Sequence, residues 1–433
     1  MKEVDENTVQ DLRERNYRLH RAVNELSVLN DLALDISGRV NSEKIMRTII
    51  SRSIRAVVAE QGDITLVNED PSKSGQTLVR SMVSSTRHSP LHLDQNLLGW
   101  MQIHKEPLII NNPGTDPRFR EVNWETSIHS VLSAPMMVNS NLIGILTVYN
   151  KKDEEFFSES DCRLLSIIAS QSAQVVENAR LYEEEEAFRE MQRELVLASD
   201  IQKKLLPSDP PEITGYRLAG KNLTAYSVGG DYFDFIPLSQ HHWAICLGDV
   251  SGKGMPAALL MSNLQAILRS HLIHHFSPGK VLEIANHQLF KNTDTEKFAT
   301  LFLGILDTEK NVLNYANGGH EYPYLLTTNR IDQRLKCGGL PLGMFDLQEY
   351  EESTVDLKRG DCLFIYSDGI TESMNSDEEE FGENRLEEVL NKEWNKNSNP
   401  GVVMEKIFET SIKHSGQKQL SDDMTAVVVS RNP

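Results

Sequence analysis

The sequence predicts an α+β chain of more than one domain, on three observations. Short apolar, partly β-branched runs recur through the second half of the chain and end at aspartates flanked by Gly or Ser, the pattern of buried strands that stop at tight turns. Residues Ser160 to Leu206 contain neither Pro nor Gly and read as one helix, which at 1.5 Å per residue would extend about 70 Å. The length of 433 residues suggests about three structural units.

In chain order, Val9, Asn16, Val23 and Asn30 alternate with Leu12, Leu19, Leu26 and Ala33 at heptad spacing. That spacing predicts a coiled-coil helix over residues 1–36, in which two asparagines at a-type positions favour a two-stranded, parallel pairing. An amphipathic helix packed on its own domain would give a similar pattern over so short a run. Ile45 to Ile64 reads as helix then strand. Gln76–Val83, Pro107–Ile110, Val131–Val138 and Leu142–Tyr149 read as strands of an antiparallel sheet, the last two joined at Asn139-Ser140-Asn141. The helix from Ser160 keeps heptad positions Leu181, Phe188, Leu195 and Gln202 with Met191, Ala198 and Leu205, whereas Val196, Ile201 and Leu206 fall partly off that seam, toward the following domain. The acidic run Glu183–Glu186 interrupts it, and Pro207, Pro210 and Pro211 end it.

The net charge of −19 argues against nucleic acid or an anionic membrane as partner, because a phosphate surface would be repelled. Met1–Asn7 has no signal-peptide core and no uncharged apolar stretch of about 18 residues follows, so the expectation is a soluble, cytoplasmic protein. Cys162, Cys246, Cys337 and Cys362 are far apart and show no CxxC spacing, as free thiols in a reducing compartment would.

Leu97-Leu-Gly-Trp100, Pro107-Leu-Ile-Ile-Asn111, Ser130-Val-Leu-Ser-Ala-Pro-Met136, Leu142-Ile-Gly-Ile-Leu-Thr-Val148 and the helix from Glu159 resemble the successive landmarks of a GAF domain. The resemblance implies a sensor or dimerisation module over residues 37–180, open to a small-molecule or protein signal. Asn150-Lys151, Phe157 and Asp161 are similar to part of a cyclic-nucleotide signature of some GAF members, but Cys162 stands where that signature has Glu. The same residues also read as structural ties of a strand-loop-helix.

The last third carries the chemistry. Leu247-Gly-Asp249-Val-Ser-Gly-Lys-Gly-Met255 lies between an apolar strand, Trp243–Leu247, and a helix predicted from Pro256 to Leu268. A phosphate-binding P-loop is excluded by spacing: three residues separate Gly248 from Gly252, and Gly254 replaces the required hydroxyl. An Asp at such a turn can simply cap the helix. Repetition favours a site: Asp231, Asp249, Asp368 and Asp422-Asp423 all stand at the ends of short apolar runs beside Gly or Ser. Gathered carboxylates need a counter-charge, and no basic residue recurs beside them, so a cation is expected. Oxygen donors without His or Cys favour a hard ion, Mg²⁺ or Mn²⁺, and two such ions suit the hydrolysis of phosphate esters.

Val228-Gly-Gly-Asp-Tyr-Phe-Asp234, Gly248-Asp-Val-Ser-Gly-Lys-Gly-Met-Pro-Ala257, Phe298-Ala-Thr-Leu301, Asn317-Gly-Gly-His320, Gly339-Leu-Pro-Leu-Gly343, Tyr366-Ser-Asp-Gly-Ile-Thr-Glu372 and Asp422-Asp-Met-Thr-Ala426 resemble, in order, the motifs of SpoIIE/RsbU-type serine phosphatases, the bacterial branch of the protein phosphatase 2C family. The resemblance runs from Ala198 to Val429. It implies an α-β-β-α sandwich over residues 207–433 and two Mn²⁺ or Mg²⁺ ions, while the heptad positions make 181–206 a coiled-coil or switch linker helix. It makes Asp231, Asp249, Asp368 and Asp422 the catalytic and metal-holding carboxylates, with the carbonyl of Val250 as a further ligand. Asp423 replaces a common Asn, and Ser251 stands where eukaryotic relatives carry a proton-donating His, which leaves the general acid unassigned. His320 is a family landmark with a structural or a chemical role. The implied substrate is a phosphorylated STAS-type anti-sigma-factor antagonist; the heptads of Val9–Ala33 and Leu181–Leu205 predict a parallel homodimer. Two other classes compete: a GHKL-type ATPase or kinase, suggested by Asp249-x-x-Gly-x-Gly, and an inactive pseudophosphatase scaffold.

Overall fold

The computed structural model describes the chain apart from residues 1–41, 68–94, 121, 123, 153–154, 275, 294–296, 328–329, 397–398 and 417–419. The 1–36 coiled coil and the Gln76–Val83 strand lie outside the described residues. The chain divides into two compact units, Met1–Glu190 and Met191–Pro433.

In the first unit, α1 (Ser42–Ala56) places Ile45, Met46, Ile49, Ile50 and Ile54 on one buried face, the helical period its sequence carries. There follow β1 (Ala59–Leu66), α2 (Gln95–His104), β2 (Leu108–Ile110), two single 3₁₀ turns at Pro113–Thr115 and Pro117–Phe119, β3 (Val131–Val138) and β4 (Asn141–Lys151). The sheet order is β1-β4-β3-β2 and every pairing is antiparallel. Asn139 and Ser140 take φ of 47° and 68°, as a two-residue hairpin turn requires. One face of the sheet packs on α1 and the start of α3 (Glu159–Lys203), through Leu165, Ile168, Ala169, Ala173 and Val176. The other face meets α2 and the 3₁₀ turns around Leu97, Met101 and Phe119.

The residues of the nucleotide-like signature act as local ties. Lys151 Nζ meets Asp161 Oδ1 at 3.0 Å, and the Asn111 side chain bonds both the N–H and the carbonyl of Phe157, at 2.9 and 3.0 Å.

Beyond its packed start, α3 exposes large apolar side chains: Leu181, Phe188, Met191, Val196, Leu197 and Ile201. Two expectations fail in its last turns. Val196 and Ile201 face solvent instead of a core, and Gln202, assigned to a coiled-coil seam, is 7% exposed. A heptad extended through the end of a helix assumes a partner helix, whereas the buried face here is set by backbone at Gly229. Leu206 does pack on the second unit's core.

That unit contains β5 (Tyr216–Leu223), β6 (Tyr232–Pro237), β7 (His242–Val250), α4 (Met255–Leu272), α5 (Pro278–Asn292), β8 (Ala299–Asp307), β9 (Val312–Gly318), β10 (Tyr324–Thr327), β11 (Arg330–Arg334), β12 (Ser353–Asp356), β13 (Cys362–Tyr366), α6 (Asp368–Thr371), α7 (Gly382–Lys396), α8 (Pro400–Ser415) and β14 (Met424–Arg431). Two five-stranded antiparallel sheets form, β11-β10-β13-β14-β5 and β12-β9-β8-β7-β6. Alternation along the strands explains the layers. On β7, Ile245 and Leu247 face the other sheet, against Leu363, Ile365 and Val427. Ala244 and Cys246 face α4 and α5. On β13, Phe364 and Tyr366 face α7 and α8. The result is an α-β-β-α sandwich. All four cysteines are free.

Candidate functional site

The four aspartates come from two strand pairs in different sheets. Asp231 leads into β6, and Asp249 is the next-to-last residue of β7. Asp368 follows β13, and Asp422 precedes β14. Their placement at strand ends is what the motif spacing predicts, and the sandwich brings the two sheets' ends together.

Asp231 is 2% exposed. Its Oδ2 accepts from Ser367 Oγ at 2.8 Å and from Thr425 Oγ1. Burial first, then the Asp249 charge, holds its carboxyl well above the usual carboxylate range. Burial and the neighbouring Asp368 push Asp249 up to about 7, while a hydrogen bond with Asp231 opposes that shift. Asp368 is raised by burial and by Asp422. Like charges crowded in a poorly solvated pocket favour protonated forms, and here each carboxyl is raised by the next.

Asp422 sits at the rim, where Lys253 Nζ meets its Oδ2 at 2.9 Å and donates to the Ser421 carbonyl at 2.6 Å. One basic side chain, from inside the glycine-rich turn, therefore stands beside one of the carboxylates, although none recurs beside them in the sequence. Asp423 turns inward onto backbone, although its charge also raises the carboxyls of Asp231 and Asp249. Its carboxylate accepts the N–H groups of Ala225, Gly230 and Asp231 at 2.8, 2.8 and 3.4 Å, so it orders the loop that carries Asp231. It is a long-range tie to backbone, not a local Asp turn.

Two glycines permit this closeness. A Cβ on Gly230 would stand 2.7 Å from the Val250 carbonyl and 3.3 Å from Asp249 Oδ1, and one on Gly369 would stand 2.0 Å from the Asp423 carbonyl. The Val250 carbonyl thus faces the loop beside Asp249. Ser251 closes the neighbouring strand, its Oγ accepting from Phe298 N at 3.0 Å. His320 is buried, with Nδ1 2.9 Å from Thr300 Oγ1. Asn317 bonds its backbone N–H and carbonyl at 2.7 and 2.9 Å. Burial lowers the imidazole to about 4, so it is neutral near pH 7 and sits behind Asp249, whose strand partner is Thr300.

Among the described residues, no three His, Cys, Asp or Glu side chains already stand as a coordination shell. Asp231 is engaged by two hydroxyls and Asp422 by Lys253. The donor set nevertheless fits a hard divalent cation. It is all oxygen, and burial together with mutual repulsion raises three carboxyls, the condition a bound cation relieves.

Sequence reasoning missed three features here. Ser367 and Thr425 were visible only as flanking residues of motifs. Asp234, quoted within a motif and given no role, forms a buried ion pair with Arg269 of α4 at 2.7 Å. Gln202 binds the backbone of Gly229.

Comparison with known proteins gives two family matches: residues 239–432 match "Stage II sporulation protein E (SpoIIE)", and residues 40–177 match "GAF domain". Asp231 and its glycines lie just ahead of the first matched stretch. The chain is 27% identical over 266 residues to "Protein IcfG" of Synechocystis, covering 55% of this chain and 42% of that protein. It is 29% identical over 256 residues to "Phosphoserine phosphatase RsbU" of Bacillus subtilis, covering 58% and 75%. The solved "SiaA-PP2C domain of Pseudomonas aeruginosa" superposes with a TM-score of 0.50 at 20% identity, over 57% of this chain and 99% of that one, a likeness of fold.

Proposed function

Because the chain carries a SpoIIE-type phosphatase domain and a GAF domain, we propose that it is a divalent-cation-dependent phosphatase acting on phosphoserine or phosphothreonine in a protein, under the control of a signal at the GAF domain. The observation that carries this reading is the convergence of Asp231, Asp249, Asp368 and Asp422 from strand ends of both sheets, with the first three carboxyls raised by burial and by one another. With the carbonyl of Val250, these residues would hold two Mn²⁺ or Mg²⁺ ions. Bound there, the ions supply an acidified water and a counter-charge for the phosphate.

The chain's own part is positioning. Ser367 and Thr425 hold the Asp231 carboxylate in one orientation, and the β7–β8 pairing of Asp249 with Thr300 fixes the strand end that presents Asp249. Asp249 lies electrostatically between Asp231 and Asp368, which suits it to bridge two cations.

The substrate we propose is a phosphorylated STAS-type anti-sigma-factor antagonist. The likeness to a protein named phosphoserine phosphatase supports a phosphoprotein substrate. No described helix is long and apolar enough to cross a membrane, and the −19 charge disfavours nucleic acid.

Hydrolysis of p-nitrophenyl phosphate tests the reading. Turnover is expected with Mn²⁺, to be abolished by EDTA and restored by added Mn²⁺. Turnover that requires ATP would favour the GHKL class, and none under any condition would favour the scaffold.

The exposed Leu181, Phe188 and Met191 of α3 support a parallel homodimer through the first part of the 181–206 segment, Gln202 at its end being turned onto Gly229. Light scattering should give twice the 49.0 kDa chain mass, and a monomer at all concentrations would end the proposal. Substituting Phe188 and Met191 by Ser is expected to weaken the dimer and leave each domain folded.

A further inference from the structure

At the pole of the second unit opposite the acidic cluster, a cavity of about 220 Å³ is lined by Arg217 of β5, Arg359 and Gly360 of the turn before β13, Trp394 of α7, and Arg431 and Asn432 at the end of β14. The strands dictate this separation. β14 runs for eight residues from the Asp422 end to Arg431, which at about 3.3 Å per residue puts roughly 25 Å between the two places. The backbone around the cavity is fixed: Gly360 N donates to the Arg431 carbonyl at 3.0 Å, and Asn432 N to the Gly215 carbonyl at 2.8 Å.

Three guanidiniums thus share one cavity in a chain of net charge −19. Arg431 Nη1 donates to the Leu357 carbonyl at 2.7 Å, which anchors that group. Arg217 and Arg359 are exposed, and among the described residues no ion pair joins either to a carboxylate. Asp361 does feel the Arg431 charge, and its carboxylate accepts the Lys358 N–H at 2.8 Å, so one negative group stands against three positive ones. The amide oxygen of Asn432 is buried and has no donor among the described residues, although buried polar atoms ordinarily find one.

We propose that this cavity binds a small phosphoryl dianion, inorganic phosphate or a phosphate monoester, between the guanidiniums of Arg217, Arg359 and Arg431. Guanidinium forks match the oxygens of a phosphoryl group, and each such charge-assisted bond is stronger than a neutral one. A hydroxyl of the ligand supplies the donor that Asn432 lacks. The volume sets the size: it falls below the roughly 300–1,000 Å³ of sites for drug-sized molecules, so the phosphoryl group carries little beyond itself. The site is separate from the acidic cluster and does not depend on what that cluster hydrolyses.

The test is titration calorimetry on the full-length protein without metal, so that the uncompensated acidic cluster repels the probes. The probes are inorganic phosphate and O-phosphoserine at about pH 8, where the phosphoryl groups are mostly dianions. One site per chain is expected. Uptake of phosphate alone would make it a site for the free ion, and uptake of O-phosphoserine would make it a monoester site; either supports the proposal. Arg217→Gln with Arg359→Gln is expected to raise Kd at least about tenfold. Lys406→Gln with Lys413→Gln removes two exposed charges from α8 and should leave Kd at the parent value. Both arginines are exposed, so the double variant should fold; if it does not, Arg359→Gln alone decides, with a Kd several-fold above the parent. Neither probe binding to the parent would overturn the proposal, as would a parent-like Kd in the arginine variant or an equal rise in the lysine variant. Succinate binding as tightly as phosphate, with the same arginine dependence, would overturn the phosphoryl assignment.

Discussion

Asp249→Asn is expected to cut phosphatase turnover by on the order of a thousandfold, about 4 kcal/mol of transition-state stabilisation, and at the same time to make the metal-free protein harder to unfold. The first effect follows because the amide keeps one oxygen but lacks the charge needed to bind between two cations. The second follows from linkage. Asp249 is pushed up to about 7 in the folded chain from an ordinary value of 3.8, so the folded state holds its proton more tightly than the unfolded one. Its contribution to stability is therefore greatest below pH 3.8 and is lost as pH rises through 7. At pH 8 the metal-free parent carries the full repulsion and Asn carries none of it. Melting curves without metal should converge at pH 4 and separate at pH 8, with Asp249→Asn the higher by a few degrees. Parent-like activity at limiting Mn²⁺ would remove Asp249 from the centre of the site; a lower melting point at pH 8 would mean that the carboxylate repulsion is not real.

Arg269→Met should be the most damaging change away from the acidic cluster. Asp234 has a side-chain exposure of 1%, and its two oxygens receive the Arg269 guanidinium at 2.7 and 3.1 Å and the Tyr232 hydroxyl at 2.7 Å. Removing Arg269 strands a carboxylate between β6 and α4. Breaking one partner of a buried pair costs about 3–5 kcal/mol; because Arg269 is itself half-exposed, about 2–4 kcal/mol is the expected loss, roughly 5–15 °C in a unit of this size. Replacing both partners, Asp234→Leu with Arg269→Met, should recover most of it, since no charge is then left buried. A single variant that melts within about 2 °C of the parent would show that Asp234 is adequately solvated without its partner.

Much of this was legible in the sequence where local chemistry decides the outcome. The strands Val131–Val138 and Leu142–Tyr149 carry their own period and turn residues, and the helix after Gly254 carries its Pro at the first turn. Asp231, Asp249, Asp368 and Asp422 were visible because each borders a short apolar run beside Gly or Ser, which marks a strand end whatever the tertiary structure. What stayed hidden depends on partners distant in sequence. The face of Gln202 is chosen by a loop 27 residues away, and the heptad period carries no information about it. The Asp423 carboxylate is turned inward by N–H groups some 193 residues earlier. Lys253 was misjudged for another reason: a single lysine in a glycine turn can reach a carboxylate that only the closed sandwich brings near.

The position of β14 has a consequence for the order of events during synthesis. Among the described strands it is the last to be made, and it pairs on both sides, with β13 and with β5. The loop bearing Asp231 waits for Asp423, a partner 192 residues downstream. At about 5–20 residues per second on the ribosome, roughly 10–40 s separate the two ends of the acidic cluster. During that interval Asp231 lacks its Thr425 hydroxyl and its loop lacks the Asp423 carboxylate, so no nascent or C-terminally truncated chain can assemble the site. Whatever this centre hydrolyses stays beyond its reach until β14 has been made.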